Sequence, residues 1–338
     1  MKIGVVGAGA WGTALANLLA EKGFKVDLWA YEEEVCDDIA QRRENRLFLP
    51  GVALSANLRP SNDLKRVAAK KEILILVVPS HVFRSVVQGL AGELGDETIV
   101  VSASKGIENR THLTMTGILK ELLAERFHDS LAVVSGPSFA AEVAREVPTA
   151  VTVAAHGSRV GEKVQALFAT PFFRVYTSGD LIGAETGGAV KNVMAIAAGI
   201  SDGLGLGLNT RAALITRGIT EIQRLGIRLG AEPKTFSGLA GIGDLILTCT
   251  GTLSRNWAVG NRLGQGMKLD EIISGTRTVA EGVRTTKSVY NLSRKLEIEM
   301  PIAEHVYRIL YEDLDPRQAL HTLMMRDLRH EHDGELGL

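Results

Sequence analysis

The sequence is short of cysteine, of surplus charge and of long apolar runs, and each shortage excludes something. Cys36 and Cys249 are its only two cysteines, too few and too scattered for a disulfide scaffold or a Cys-rich zinc site, and a reducing cytoplasm fits that usage. Lys+Arg number 38 against 39 Asp+Glu, a formal charge of −1, so no net basic field draws in nucleic acid or an anionic membrane. Nucleic acid is therefore not expected as a partner, and any anion site must be local. The longest apolar stretches, 73–78 and 193–200, fall far short of the ~20 residues of a spanning helix, so no membrane insertion is expected. The opening Lys2-Ile-Gly-Val-Val-Gly-Ala-Gly9 is broken by glycine and lacks the layout of a secretory signal. G-x-x-x-x-G-K-[ST], H-E-x-x-H and G-x-S-x-G are also missing, which removes phosphate-loop kinases, zincins and serine hydrolases. His330-Glu-His332 lies in a polar tail and is not read as a metal pair. No metal is expected.

What is present in excess is glycine, 36 of 338 residues, above the ordinary ~7% and without a collagen-like period, so these glycines should mark turns and close backbone approaches. The length suggests about two domains. From residue 2 to about 178, short β-branched runs at 2–7, 25–30, 73–78, 98–103, 131–135, 149–154 and 172–176 alternate with helix-length stretches such as 11–22, 80–94 and 113–127. Most of these runs are nearly continuous in apolar residues, as strands covered on both faces must be. The alternation predicts an α/β, Rossmann-type, doubly wound parallel sheet. Beyond about 181 the pattern turns helical, with helices expected at 183–200, 211–229, 269–273, 285–295, 302–311 and 316–325. The reading is a dinucleotide-binding domain over 1–182 and an all-α substrate-binding domain over 183–338. The segment Ser201–Thr210 is rich enough in glycine to predict an irregular joint.

Gly7-Ala-Gly9-Ala10-Trp11-Gly12 matches G-x-G-x-x-G between the first strand and the first helix, with a second strand following near Lys25. Gly7 permits the tight turn, Gly9 lets the backbone approach a pyrophosphate, and Gly12 lets helix and strand pack closely. Amides at the helix start then hold the anion. An NAD site usually places an acid at the end of the second strand. Here that end reads Asp27-Leu-Trp-Ala-Tyr31-Glu32, with Asp27 early, Glu32 to Glu34 entering the next helix and no arginine for a 2′-phosphate. NAD and NADP both stay open.

Further along stand Ser104-Lys105-Gly106-Ile107, Ser135-Gly-Pro-Ser-Phe-Ala140, Lys191-Asn-Val193, Gly238-Leu-Ala-Gly-Ile-Gly-Asp244, Leu253-Ser-Arg-Asn256 and Val279-Ala-Glu-Gly282. With the opening turn, these closely resemble the bacterial NAD(P)-dependent glycerol-3-phosphate dehydrogenases, in the family's order and over nearly the whole chain. The resemblance implies a Rossmann domain joined to a helical one and reduction of dihydroxyacetone phosphate to sn-glycerol 3-phosphate, a phospholipid precursor. A homodimer is the one protein assembly left open.

Hydride delivered to a ketone leaves charge on oxygen, so a proton donor and polarising groups must stand within hydrogen-bond reach. Lys191, placed near the start of a helix of small and apolar residues, suits that task if burial and a second cation lower its pKa; otherwise it is a helix-end lysine reaching solvent. The resemblance makes Lys191 the general acid/base and a substrate contact, and makes Lys105 a contact to both substrate and cofactor. Ser254, Arg255 and Asn256 are implied on the substrate, with Arg255 also near the cofactor, although Ser-x-Asn before a helix is common capping chemistry. Asp244 could bond a substrate hydroxyl, orient Lys191 or cap the helix at 245–248. Gly136 and Ser138 are implied substrate contacts, and Gly7, Gly9, Ala10, Trp11, Gly12, Ala140, Val279 and Glu281 cofactor contacts. Tyr31 occupies a cofactor position where the family often carries a basic or polar residue. Two other readings keep the architecture: a dehydrogenase of another small hydroxy acid, and a non-enzymatic dinucleotide sensor.

Overall fold

A computed structural model of the chain describes residues 1–274, 280–328 and 330–331. Eight strands form one sheet: β1 (Ile3–Val6), β2 (Val26–Trp29), β3 (Leu58–Ser61), β4 (Ile73–Leu76), β5 (Ile99–Ser102), β6 (Leu131–Ser135), β7 (Thr149–Ala155) and β8 (Phe173–Ser178). Their order is β3-β2-β1-β4-β5-β6-β7-β8. The chain winds to one side of β1 through β2 and β3, then to the other from β4 onward, and so leaves a crevice between β1 and β4 at their carboxyl ends. β1, β4, β5 and β6 are buried at every position, because helices cover both faces of the sheet.

Two features depart from the expected sheet. The edge strand β3 reads Leu-Arg-Pro-Ser, a run that its proline hides from any pattern search; at an edge, the missing N–H costs no ladder bond. β7 runs antiparallel to β6, so the sheet is mostly parallel. The link from β6 to β7 holds only the short helix Ala140–Val143, less than the covering crossover that a parallel return requires.

The helical half begins with the long helix Leu181–Gly203, here the lysine helix, buried along almost its whole length. Asp180 caps it by accepting from the Gly183 amide, and also accepts from the Glu232 amide and the Thr235 hydroxyl. The irregular joint expected over Ser201–Thr210 is mostly helical: the lysine helix runs through Gly203, and only three residues separate it from the next helix, Gly207–Arg228. The reason is packing. A Cβ on Gly203, inside that segment, would lie 2.2 Å from the Asn261 carbonyl oxygen, and one on Gly260 would lie 2.0 Å from that of Ile196, whereas Gly205 and Gly207, with φ +74° and +82°, make the short turn between the helices. Gly203 and Gly260 let the lysine helix and the helix Arg255–Gly264, the arginine helix, touch backbone to backbone.

Candidate active site

The glycine turn has the shape its spacing predicts. Gly7 has φ +116°, and a Cβ there would meet the Val77 carbonyl oxygen at 2.7 Å; one on Gly12 would fall 1.9 Å from the Gly7 oxygen. Around Gly9 no atom stands within 4 Å of a would-be Cβ. The helix Ala10–Glu21 opens at Gly9 with no side-chain cap on its first amides. Among the described residues, the buried Trp11 Nε1 has no acceptor. Open space beside uncapped amides is what a pyrophosphate needs, so the turn fits a dinucleotide. Asn45 holds it from behind, donating to the Ala8 carbonyl and the Thr13 hydroxyl at 2.8 Å each. At the end of β2, Tyr31 is 79% exposed and sits edge-on to Trp29, while Asp27 is engaged by Lys71.

The chemistry concentrates where the lysine helix meets the sheet edge. Lys191 sits in the middle of that helix rather than near its start, because the helix begins before Gly183 and runs past Ile200. It is 7% exposed, so it does not reach solvent. Its ammonium donates to Asp244 Oδ1 and, at 2.8 Å, to the Thr248 hydroxyl. Asp244 is 1% exposed, and its other oxygen accepts from Lys105 at 2.7 Å. One carboxylate therefore bridges two ammonium groups. Burial pulls the Lys191 pKa down, Asp244 opposes, Lys105 adds to the fall, and the result is about 7. For Asp244, burial pushes upward, but Lys105 and Lys191 together outweigh it and hold the carboxyl below its ordinary value. Of the three expectations for Asp244, orienting Lys191 is the one the geometry displays. It is the first residue of the helix Asp244–Thr250, whose capping position is Gly243.

Lys105 follows β5, and Gly136 follows β6 with φ +138°, so both project from the carboxyl edge of the sheet. Ser138 donates to the Gly136 carbonyl at 3.0 Å. Gly188 lets the lysine helix lie against this edge: a Cβ there would sit 2.9 Å from Ser135 Oγ and 3.6 Å from Lys105 Cδ. Ala140 opens the short helix after β6 and packs against the sheet core.

Ser254 does cap the arginine helix, accepting from the Trp257 amide at 3.2 Å. Asn256 turns inward, donating to Asn192 at 2.9 Å and accepting from the Gly282 amide at 2.9 Å. It thereby ties the arginine helix to the residue beside Lys191 and to the helix Glu281–Lys295. Arg255, the first residue of the arginine helix, is exposed. Its guanidinium makes no hydrogen bond among the described residues, and desolvation lowers its pKa while the charge of Glu281 opposes. Glu281 accepts from the Ser80 hydroxyl at 2.5 Å. Val279, and His332 of the polar tail, lie outside the described residues.

Comparison with known proteins places this geometry. Residues 2–160 match the N-terminal part, and residues 180–321 the C-terminal part, of NAD-dependent glycerol-3-phosphate dehydrogenase. The chain belongs to that family. A glycerol-3-phosphate dehydrogenase [NAD(P)+] of Syntrophobacter fumaroxidans is 55% identical over 97% of each chain, and one of Geobacter sulfurreducens is 55% identical over 98% of each. The crystal structure of a glycerol-3-phosphate dehydrogenase from Coxiella burnetii superposes with a TM-score of 0.91 at 41% identity, covering 96% of this chain and 98% of that one.

Within this family member, the structure brings Lys105, Lys191 and Asp244 into direct contact, links Asn256 to them through Asn192, and sets Arg255 near Glu281. Tyr31 stands apart at the end of β2. Thr248, Asn192, Asn45 and Ser80 escaped the sequence reading. Thr248 had a signal, since four residues after Asp244 on a helix puts both on one face. Asn192 had its place next to Lys191. Asn45 had none. Among the described residues, no helix is long and apolar enough to cross a membrane.

Proposed function

We propose that the protein catalyses the reversible reduction of dihydroxyacetone phosphate to sn-glycerol 3-phosphate, using NADH or NADPH, for phospholipid synthesis. The observation that carries this reading is the buried Lys191–Asp244–Lys105 bridge, in which a lysine is tuned to about 7. Gly7, Gly9, Ala10, Trp11 and Gly12 hold the dinucleotide, with Ala140, Glu281, Tyr31 and Val279 as further contacts. When bound, the nicotinamide supplies the hydride. Lys191 donates a proton to the ketone oxygen as charge develops there, and takes it back from the hydroxyl in oxidation; a pKa near neutrality serves both directions. Asp244 and Thr248 orient the ammonium. Lys105 keeps positive charge beside the nascent alkoxide. Arg255, free of hydrogen bonds among the described residues, takes the substrate phosphate in its fork, aided by Ser254, Asn256, Gly136 and Ser138. Residues 1–182 form the dinucleotide-binding domain and 183–338 the substrate-binding domain, and each lends residues to the other's ligand: Lys105, Gly136 and Ser138 reach the substrate, Glu281 and Val279 the dinucleotide.

The reading also places the enzyme in the cytoplasm and admits a homodimer, which sedimentation at working concentration checks. Following NADH and NADPH absorbance tests the reaction itself. Rapid oxidation with dihydroxyacetone phosphate, and little with unphosphorylated 2-oxo acids, is expected. The reverse preference would leave the hydroxy-acid reading standing, and no oxidation of either cofactor the sensor.

A further inference from the structure

We infer that Ser80 is a positioning residue for substrate capture, acting through Glu281 on Arg255; this rests on the reading of Arg255 as the phosphate clamp. The helix Ser80–Leu90 starts after β4 with Pro79 in its capping position, and Pro79 has no side-chain acceptor to offer. The acceptor comes instead from the other half of the chain. The Glu281 carboxylate takes the Ser80 hydroxyl at 2.5 Å. Glu281 is also the first residue of its own helix, so one carboxylate lies at the positive ends of two helices, one from each half. Ser80 is the first residue of its helix, one position past the cap. It spends its hydroxyl across the seam.

The clasp touches both sides of the anion site. A Cβ on Gly106 would stand 2.5 Å from Ser80 Cβ and 2.7 Å from its Oγ, so the loop carrying Lys105 closes directly onto Ser80. On the other side, the Gly282 amide donates to Asn256, next to Arg255, at 2.9 Å. Among the described residues, the charged groups acting on Glu281 are Arg255 and Arg284. With no hydrogen bond of its own among the described residues, the Arg255 guanidinium is steered by the Glu281 charge. Ser80 fixes where that charge sits, and so sets the spacing between the Arg255 fork and the Lys105 loop.

The test is a double-mutant cycle on the full chain. Ser80→Ala should raise the KM for dihydroxyacetone phosphate about tenfold, the scale of one hydrogen bond to a charged group. It should leave kcat nearly unchanged, raise the dissociation constant for reduced dinucleotide, which Glu281 also contacts, by less than it raises that KM, and lower the melting temperature by a few degrees. In an Arg255→Ala background, the same substitution should raise KM no further. Equal effects in both backgrounds, or a loss of dinucleotide affinity with KM for the triose unchanged, would overturn the positioning role while leaving the proposed reaction intact. An Arg255→Ala variant with unaltered KM would instead remove Arg255 from the phosphate site, and this inference with it.

Discussion

Two glycine-rich regions of the molecule use the same residue for opposite ends. At the sheet edge, Gly9 faces open space, and Gly7 and Gly12 exist so that strand, turn and helix can fold tightly behind that space. In the seam between the lysine and arginine helices, the space at Gly199, Gly203, Gly260 and Gly264 is filled by the partner helix's backbone. The first region keeps room for something outside the chain. The second removes room so that Asn192 and Asn256, and through them Lys191 and Arg255, are held at fixed separation. Glycine content alone cannot tell these apart; the geometry of what a methyl group would strike does so directly.

Lys191→Ala strikes the chemistry that the lysine helix carries and gives the largest expected effect. Removing a positioned general acid should lower turnover by roughly 10²- to 10⁴-fold, while dinucleotide affinity, which belongs to the sheet edge, stays close to that of the parent. Stopped-flow turnover and fluorescence titration of the dinucleotide separate the two. Turnover within a few-fold of the parent would deny Lys191 its role. Gly260→Ala comes next. In an unpacked helix this exchange would add about 0.5–1 kcal/mol of stability. Here the new methyl meets the Ile196 carbonyl oxygen at 2.0 Å, so the helices must part, and denaturant unfolding should show a net loss of about 2–3 kcal/mol. A stabilised variant would show that the seam yields easily.

The same contrast explains which features the sequence disclosed. The glycine turn lies within six consecutive residues, and strand, turn and helix follow one another, so local chemistry sufficed. Ser254 as a cap was likewise written into its neighbours. The bridge from Lys191 to Asp244 spans 53 positions and that from Lys105 to Asp244 spans 139, and no periodicity links them; only the family's motifs brought these residues to attention together. The irregular joint expected over Ser201–Thr210 shrinks to a three-residue turn because Gly203 packs a helix while Gly205 and Gly207 turn the chain, and the two kinds of glycine look alike in one dimension. β3 was hidden by Pro60, whose tolerance depends on lying at an edge, a property of the assembled sheet.

Gly9→Ala tests the sheet edge with a smaller effect. Gly9 has φ −65° and ψ 179°, a conformation alanine adopts freely, and a Cβ meets nothing within 4 Å. Stability should hold or rise by about 0.4–1 kcal/mol through the stiffer unfolded chain. The methyl would nonetheless occupy the approach to the helix amides, so calorimetric titration should show dinucleotide binding weakened by roughly tenfold. Loss of stability with unchanged affinity would reverse the meanings assigned to the two regions.

The smallest effect lies in pH profiles. Reduction needs Lys191 protonated, so its kcat/KM should fall as pH rises through about 7; oxidation needs the free amine and should fall as pH drops through the same value. Lys105→Met removes a cation that depresses the Lys191 pKa, so the reductive limb should move to higher pH. Asp244→Asn removes the anion that opposes burial, so the limb should move to lower pH, each variant compared by its midpoint rather than its height. Opposite movements would establish that Lys105 and Asp244, bridged to one another beside Lys191, tune it by charge. Identical midpoints in all three proteins would leave burial by the lysine helix as the only agent, and Lys105 would then act solely through its contact with the substrate.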